Sequence, residues 1–252
     1  MAAVVPLIGV LGGMGPLATL DFLQKLIAST PAQRDQEHVA TVVWNVPQIA
    51  DRQKALAGTG ESPLPAMLHG IAQLNAAGAT RIVIPCNTAH AWFDALARAS
   101  QAPLIHIVQA SLDALEAATG ASGATVGLIA TRGTLEAQLY QPHLEARGIP
   151  FVVSTPEELD SVFTPGCYAI KQGELERGGK LLEQAALRLV ARGATRLVLA
   201  CTEVPVGLAH IASDLLTISV DPTQALADAC LRYWRQANPP PPAPTQATAI
   251  NP

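Results

Sequence analysis

Along this chain the apolar residues follow two rhythms. Short unbroken runs, about five to eight residues each, are the mark of strands buried on both faces of a parallel sheet. They lie at Val4–Leu11, Val39–Val46, Arg81–Pro85, Leu104–Val108, Thr125–Ala130, Pro150–Val153, Arg196–Ala200 and Leu216–Val220. Between them apolar positions recur at the spacing of a helix with one buried face. Leu20, Leu23, Leu26 and Ile27 form such a face ahead of Pro31. Met67, Leu68, Ile71 and Leu74 do the same ahead of Gly78, and Leu181, Leu182, Ala185, Leu189 and Val190 ahead of Gly193. A glycine in that place is a natural left-handed helix end. Strands alternating with helices predict an α/β protein.

The second half of the chain repeats the first. GATRIVIPCNTAH (Gly78–His90) returns as GATRLVLACTEVP (Gly193–Pro205), so that Cys86 matches Cys201. The segment from Ile8, IGVLGGMGPLATLDFLQKL, resembles VGLIATRGTLEAQLYQPHL from Val126, and LIHIVQ resembles LTISVD. A period this long points to duplication, not to a solenoid. The expectation is two pseudo-symmetric α/β domains, each with a four-stranded parallel sheet flanked by helices. The first comprises residues 1–108 plus 222–237 and the second 109–221. A short linker falls near Gln109, and the last helix, Thr223–Arg235, crosses back to the first half. The end of the chain, 238–252, is NPPPPAPTQATAINP, which predicts a disordered or polyproline-like tail.

Composition narrows the partners. Of 252 residues, 49% are hydrophobic and 14% charged, and the net charge is −4. That supports a large core and leaves no basic footprint for nucleic acid or an anionic membrane. An anionic substrate would need local positive charge. Cys86, Cys167, Cys201 and Cys230 are far apart, which fits neither a disulfide framework nor a zinc site, so no metal is expected. The first twenty residues carry no charged side chain, but Pro6, Pro16 and the glycines at 9, 12, 13 and 15 interrupt them. They read as a buried strand and a glycine loop rather than a signal peptide or anchor, hence a cytoplasmic protein with reduced thiols.

The candidate chemistry sits at strand ends. Either cysteine alone reads as a buried thiol. Together, at the carboxyl ends of matching strands, where parallel sheets place ligands, Cys86 and Cys201 read as two groups facing across a cleft. Each precedes an expected helix start, with Asn87, Thr88 and Thr202 as candidate caps, and a helix amino terminus favours a thiolate. Cys167 and Cys230 lack that context, and Cys230 reads as core. The loop Gly9–Pro16 could cradle phosphate, but its spacing is neither the dinucleotide nor the Walker pattern, and bare N–H groups could equally meet a carboxylate. Arg52 lies in a polar loop, and its planar fork suits a carboxylate. Lys171 alone reads as surface. His90, one turn beyond Cys86, would allow a Cys–His pair, yet the second half has Pro205 there, which favours a structural histidine.

These motifs resemble the aspartate/glutamate racemase family, in particular its cofactor-independent aspartate racemases. The matching stretches are Gly9–Thr19, Arg34–His38, Asn45–Arg52, Pro85–His90, Gly127–Thr134, the segment around Lys171, and Ala200–Val204. The resemblance implies two parallel α/β domains with the site between them. It implies Cys86 and Cys201 as two bases acting on opposite faces of Cα, and Arg52 and Lys171 as binders of substrate carboxylates. It implies Met14, Asn87, Thr88, Thr131 and Thr202 lining the site, with Gln48 and Glu203 as further candidate contacts. It also implies a small dicarboxylic amino-acid substrate, no cofactor, and a homodimer. Related readings on the same scaffold are glutamate, broad-specificity or hydantoin racemisation, or maleate isomerisation. A ligand-binding domain without catalysis and a redox protein with a Cys86–Cys201 disulfide are the alternatives of other classes.

Overall fold

The computed structural model describes residues 6–119 and 123–237, so Val4 and Val5 of the first expected strand, and the Pro-rich tail, lie outside the described residues. Eight strands form two parallel sheets. β1 (Ile8–Gly12), β2 (Thr41–Asn45), β3 (Arg81–Val83) and β4 (Leu104–Ile105) are ordered β2-β1-β3-β4. β5 (Val126–Leu128), β6 (Phe151–Val153), β7 (Arg196–Val198) and β8 (Ser219–Val220) repeat that order as β6-β5-β7-β8. The registers match as well, with Ile8 beside Arg81 in one sheet and Val126 beside Arg196 in the other. Every expected run holds one strand, but the ladders are shorter than the runs. Ile84 and Leu199 are buried past the ends of β3 and β7, where side chains still pack although strand pairing has stopped.

Successive residues on the central strands feed different cores, which is why the runs are unbroken. Ile8, Val10 and Val83 from the first sheet and Val126, Leu128 and Val198 from the second join one common cluster. Leu11, Ile82 and Ile84 face outward onto the helices of the first half, and Leu197 and Leu199 onto those of the second. Cys86 closes the first outer cluster and Cys201 the second. Each fully buried aliphatic side chain contributes about 1.5–3 kcal/mol, so the common cluster binds the halves into one body.

The helices show where periodicity misleads. In helix Pro16–Ser29 the buried positions are Ala18, Thr19, Phe22 and Leu26, while Leu20 and Ile27 are each 59% exposed. Phe22, wholly buried, sets the inward face, and Leu20 and Ile27 fall about half a turn from it. Gln109 does not sit in a linker: it lies inside helix Ile107–Thr119, which runs straight out of β4. The last helix, Pro222–Ala237, packs on Pro16–Ser29 and on Ile107–Thr119. Lys25 reaches both Asp21 and Asp221 at 2.5 Å, and Gln224 donates to Ser29, across that contact. No described helix is long and apolar enough to cross a membrane.

Two helices of the second half approach with almost no separation. A Cβ at Gly179, in helix Leu175–Ala191, would stand 2.6 Å from the carbonyl oxygen of Gly207 in helix Glu203–His210. Helix propensity alone would make Gly179→Ala stabilising by roughly 1 kcal/mol. The clash is with backbone and cannot be relieved by a rotamer change, so overpacking should win, with a net loss of about 1–3 kcal/mol. A urea denaturation midpoint equal to or above that of the wild type would contradict this packing.

Candidate active site

The cleft forms where the carboxyl ends of β3 and β7 meet. Its lining includes both expected cysteines, together with Met14, Arg52, Asn87, Thr88, Thr131, Lys171, Thr202 and Glu203. Gln48 does not line it; that residue lines a neighbouring groove with Pro47 and Leu17, and Arg52, Lys171 and Glu203 border both spaces. The enclosed free volume is about 60 Å³, several times what one water needs, so the occupant is small.

The residues after each cysteine are used differently from their expected capping role. Thr88–Trp92 is a 3₁₀ turn leading into helix Phe93–Ala99, and neither Asn87 nor Thr202 caps a helix through its side chain. Asn87 Oδ1 instead accepts a 2.5 Å hydrogen bond from the Tyr140 hydroxyl of the other half. Tyr140 is fully buried, and burial raises its phenol well above the ordinary range, which keeps it a donor. With Asn87 Oδ1 occupied, its buried Nδ2 has no protein partner. Thr88 joins Thr131 and Thr134 in a cluster of three hydroxyls 2.9–3.0 Å apart. Gln53 spans the same seam, donating to Thr88 at 3.1 Å and Thr131 at 2.8 Å and accepting from the Gly133 N–H. A side chain at Gly133 would meet Gln53 Oε1 at 2.9 Å, so glycine there is what lets the amide dock.

The glycine loop is committed internally. Gly13 N–H donates to Thr19 Oγ1 at 2.9 Å, so that donor is satisfied within the loop. Arg52 is the first residue of helix Arg52–Leu56, whose N-cap is Asp51, and it is not loose in a loop. Its Nη1 donates to the carbonyls of Ile49 and Ala50, and its Nη2 to Met14 at 3.3 Å, while its buried Nε–H is unpartnered. The guanidinium therefore braces the walls and keeps a free donor.

On the opposite wall, Lys171 ends helix Thr164–Lys171 and pairs with Glu203. Glu203 is buried to 8% side-chain exposure, and its other oxygen accepts from the Cys201 thiol at 3.0 Å. Burial alone would lower the Lys171 ammonium; the Glu203 carboxylate, with the nearby cysteines, outweighs it and holds the lysine charged. Cys201 is not where a helix amino terminus would leave it. Its hydrogen bond with Cys167, then burial, then the Glu203 carboxylate push the thiol well up. Cys167 is the residue that sequence reasoning missed: its Sγ lies 3.6 Å from Cys201 Sγ and it lines the cleft. No strand end or cap marks it. Its helix turn ahead of Lys171 was the only available signal. Cys230 is buried inside the last helix, as its spacing suggested.

His90 is structural. It is 4% exposed, its Nδ1 lies 2.9 Å from the Cys86 carbonyl oxygen, and its Nε2 accepts from Ile107 N–H at 3.2 Å. The second contact requires a bare Nε2, so Nδ1 carries the proton and donates to Cys86. Burial, and then His106, lower its pKa to about 3. Among the described residues no group of three or more His, Cys, Asp or Glu side chains could hold a metal ion.

A family model described as Asp/Glu/Hydantoin racemase matches residues 11–230. The broad specificity amino-acid racemase RacX of Bacillus subtilis is 26% identical over 215 residues, which is 83% of this chain and 90% of that protein. The structure of an aspartate racemase from Picrophilus torridus superposes with a TM-score of 0.79 at 27% identity, covering 92% of this chain and 98% of that one. A glutamate racemase from Francisella tularensis, solved with D-glutamate, shares the fold at 17% identity with a TM-score of 0.65, covering 94% and 82%.

The His90 geometry predicts a pH effect. Protonating Nε2 would break the bond from Ile107, and the unfolded chain takes that proton near pH 6.5. Stability from this group is therefore complete above about pH 6.5 and falls as pH drops towards 3, by up to about 1.4 kcal/mol per pH unit. His106, whose pKa burial lowers to about 4, adds to the slope over the same range. His90→Gln should flatten the decline in urea-determined stability between pH 7 and 5 without removing it. An unchanged slope would mean that His90 is not the neutral tie described here.

Proposed function

The chain belongs to the Asp/Glu/hydantoin racemase family, and from that premise we propose that it interconverts L- and D-aspartate, without an added cofactor, by proton transfer between Cys86 and Cys201 across Cα. The family makes it a racemase. The observation that carries the finer reading is the convergence of two thiols from matched strand ends on one cleft that also holds unpartnered donors at Arg52 Nε and Asn87 Nδ2. Those donors have no protein acceptor and suit a carboxylate.

The chemistry follows from charge. Removing the α-proton moves negative charge onto the substrate's α-carboxylate, and donors fixed where that charge develops lower the barrier. Arg52 is held by three backbone carbonyls and Asn87 by Tyr140, so both are set in place before substrate arrives. Two thiolates would repel and leave no acid. Cys201, with its thiol pushed up beside Cys167 and Glu203, starts as the acid, and Cys86 takes the role of base. After one transfer the roles are exchanged. Lys171 lies close enough to both cysteines for either thiolate to favour its charge, so it offsets whichever one forms.

A second reading has its own support. Lys171 is already paired with Glu203, and a side-chain carboxylate must compete with that pair. A substrate that lacks the second carboxylate leaves the pair undisturbed. The similarity to the Bacillus subtilis protein named as a broad specificity racemase fits this wider reading.

Dialysed protein incubated with L-aspartate in D₂O should yield D-aspartate carrying deuterium at Cα. Cys86→Ser and Cys201→Ser should each reduce racemisation by about 10²–10⁴, the usual worth of a positioned acid or base. Full racemisation by either single variant would rule out the two-thiol scheme. Comparing kcat/KM for aspartate, glutamate and alanine separates the two substrate readings: aspartate favoured by about tenfold or more, the worth of one charged hydrogen bond, supports the first, and near-equal values support the second.

A further inference from the structure

We infer that Cys167 and Cys201 form a reversible oxidation site, in which a peroxide-class or azo-type two-electron oxidant converts the two thiols into a disulfide and so withdraws Cys201 from the cleft. The inference does not rest on the racemase reading, because it concerns the two sulfurs alone. Cys167 comes from helix Thr164–Lys171 and Cys201 from the loop after β7, and their sulfur atoms stand 3.6 Å apart. A disulfide needs about 2.05 Å, so the sulfurs must close by little more than a bond length, which side-chain torsion can supply. Both residues line the cleft, which gives a small oxidant a route. Cys230, by contrast, is wholly enclosed in the last helix.

The surroundings favour this pair over single-thiol damage. Glu203 accepts from Cys201 at 3.0 Å and can take its proton as the sulfur attacks. With a peroxide, the Cys201 sulfur displaces hydroxide from the O–O bond while Glu203 takes the thiol proton, and the sulfur becomes a sulfenic acid; the hydroxide then takes that proton and leaves as water. The Cys167 sulfur, already in contact, then attacks that sulfur and expels its hydroxyl as water. Two thiols and one peroxide become one disulfide and two waters, and the two electrons lost by the sulfurs reduce the O–O bond. A resolving thiol this close intercepts the sulfenic acid before it reaches the sulfinic stage, which is irreversible. A dithiol reductant returns both cysteines to the starting state. The pseudo-symmetry makes the pair distinctive: Cys86 is matched to Cys201, but no cysteine in the first half corresponds to Cys167.

The full chain, reduced and then exposed to diamide or hydrogen peroxide, is denatured, alkylated and digested without reductant. Trypsin releases Cys167 on the peptide 148–171 and Cys201 with Cys230 on 197–232, and a further cut after Glu203 separates the latter two. The same cut falls after Glu157 and Glu158, so the expected product joins peptide 159–171 to peptide 197–203, is two hydrogens lighter than the sum of its parts, and disappears with dithiothreitol. Any racemase activity should fall and recover in parallel with it. Cys167→Ala, and Cys167→Ser should the first fold poorly, should instead carry Cys201 to sulfinic or sulfonic acid that dithiothreitol does not reverse. Both cysteines remaining alkylatable in the oxidised wild type, or Cys201 joined to Cys86 instead, would overturn the inference. Absent racemase activity with the disulfide present would overturn only the catalytic proposal.

Discussion

The common apolar cluster between the two sheets is the constraint on which the site depends. Ile8, Val10 and Val83 from one sheet interlock with Val126, Leu128 and Val198 from the other. Because these residues alternate with outward-facing ones on the same strands, each sheet is clamped on both faces. Cys86 and Cys201 leave the clamped strands only a few residues further on, so their directions are inherited from the core and not from loop conformation. The proposed proton transfer between the two thiols would tolerate little slack, and a site built on rigid elements supplies that precision.

Hydrogen bonds across the seam complete what packing begins. Tyr140 orients the Asn87 amide, and Gln53 ties Thr88 to Thr131 and Gly133, so each half finishes the wall that the other begins. The two thiols then part company chemically. The first stands on a turn pinned by neutral His90, while the second sits against Cys167, Glu203 and the charged Lys171. Pseudo-symmetry gives the cysteines equivalent places, and their neighbours give them unlike surroundings.

Much of this was legible in the residues themselves. Unbroken apolar runs reveal strands because burial on both faces leaves no polar alternation, and repeated sentences around Cys86 and Cys201 reveal a duplicated site. What stayed hidden depends on contacts between distant segments. Cys167 meets Cys201 only once helix Thr164–Lys171 folds over the second sheet, and the expected caps at Asn87 and Thr88 were claimed by hydroxyls from the other half. Gln48 and Arg52 share one sequence stretch and border the same outer groove, yet only Arg52 also reaches the cleft. Helix faces were the least dependable: one large aromatic residue, Phe22, overruled the leucine count at Leu20 and Ile27.

The return of the final helix to the first half has a consequence for how the chain is made. Phe22 and Leu26 share their cluster with Leu226, Ala227, Cys230 and Leu231, which a ribosome adds about two hundred residues later. At elongation rates of about 5–20 residues per second, the first sheet, complete at Ile105, waits on the order of six to twenty-five seconds with that flank bare. Ile107, Val108, Leu112 and Leu115, made earlier, join the same cluster and can shelter part of that surface but not all of it. Completion of this core is therefore paced by the arrival of helix Pro222–Ala237, and a nascent chain stalled shortly before residue 222 would present an adhesive face to its neighbours.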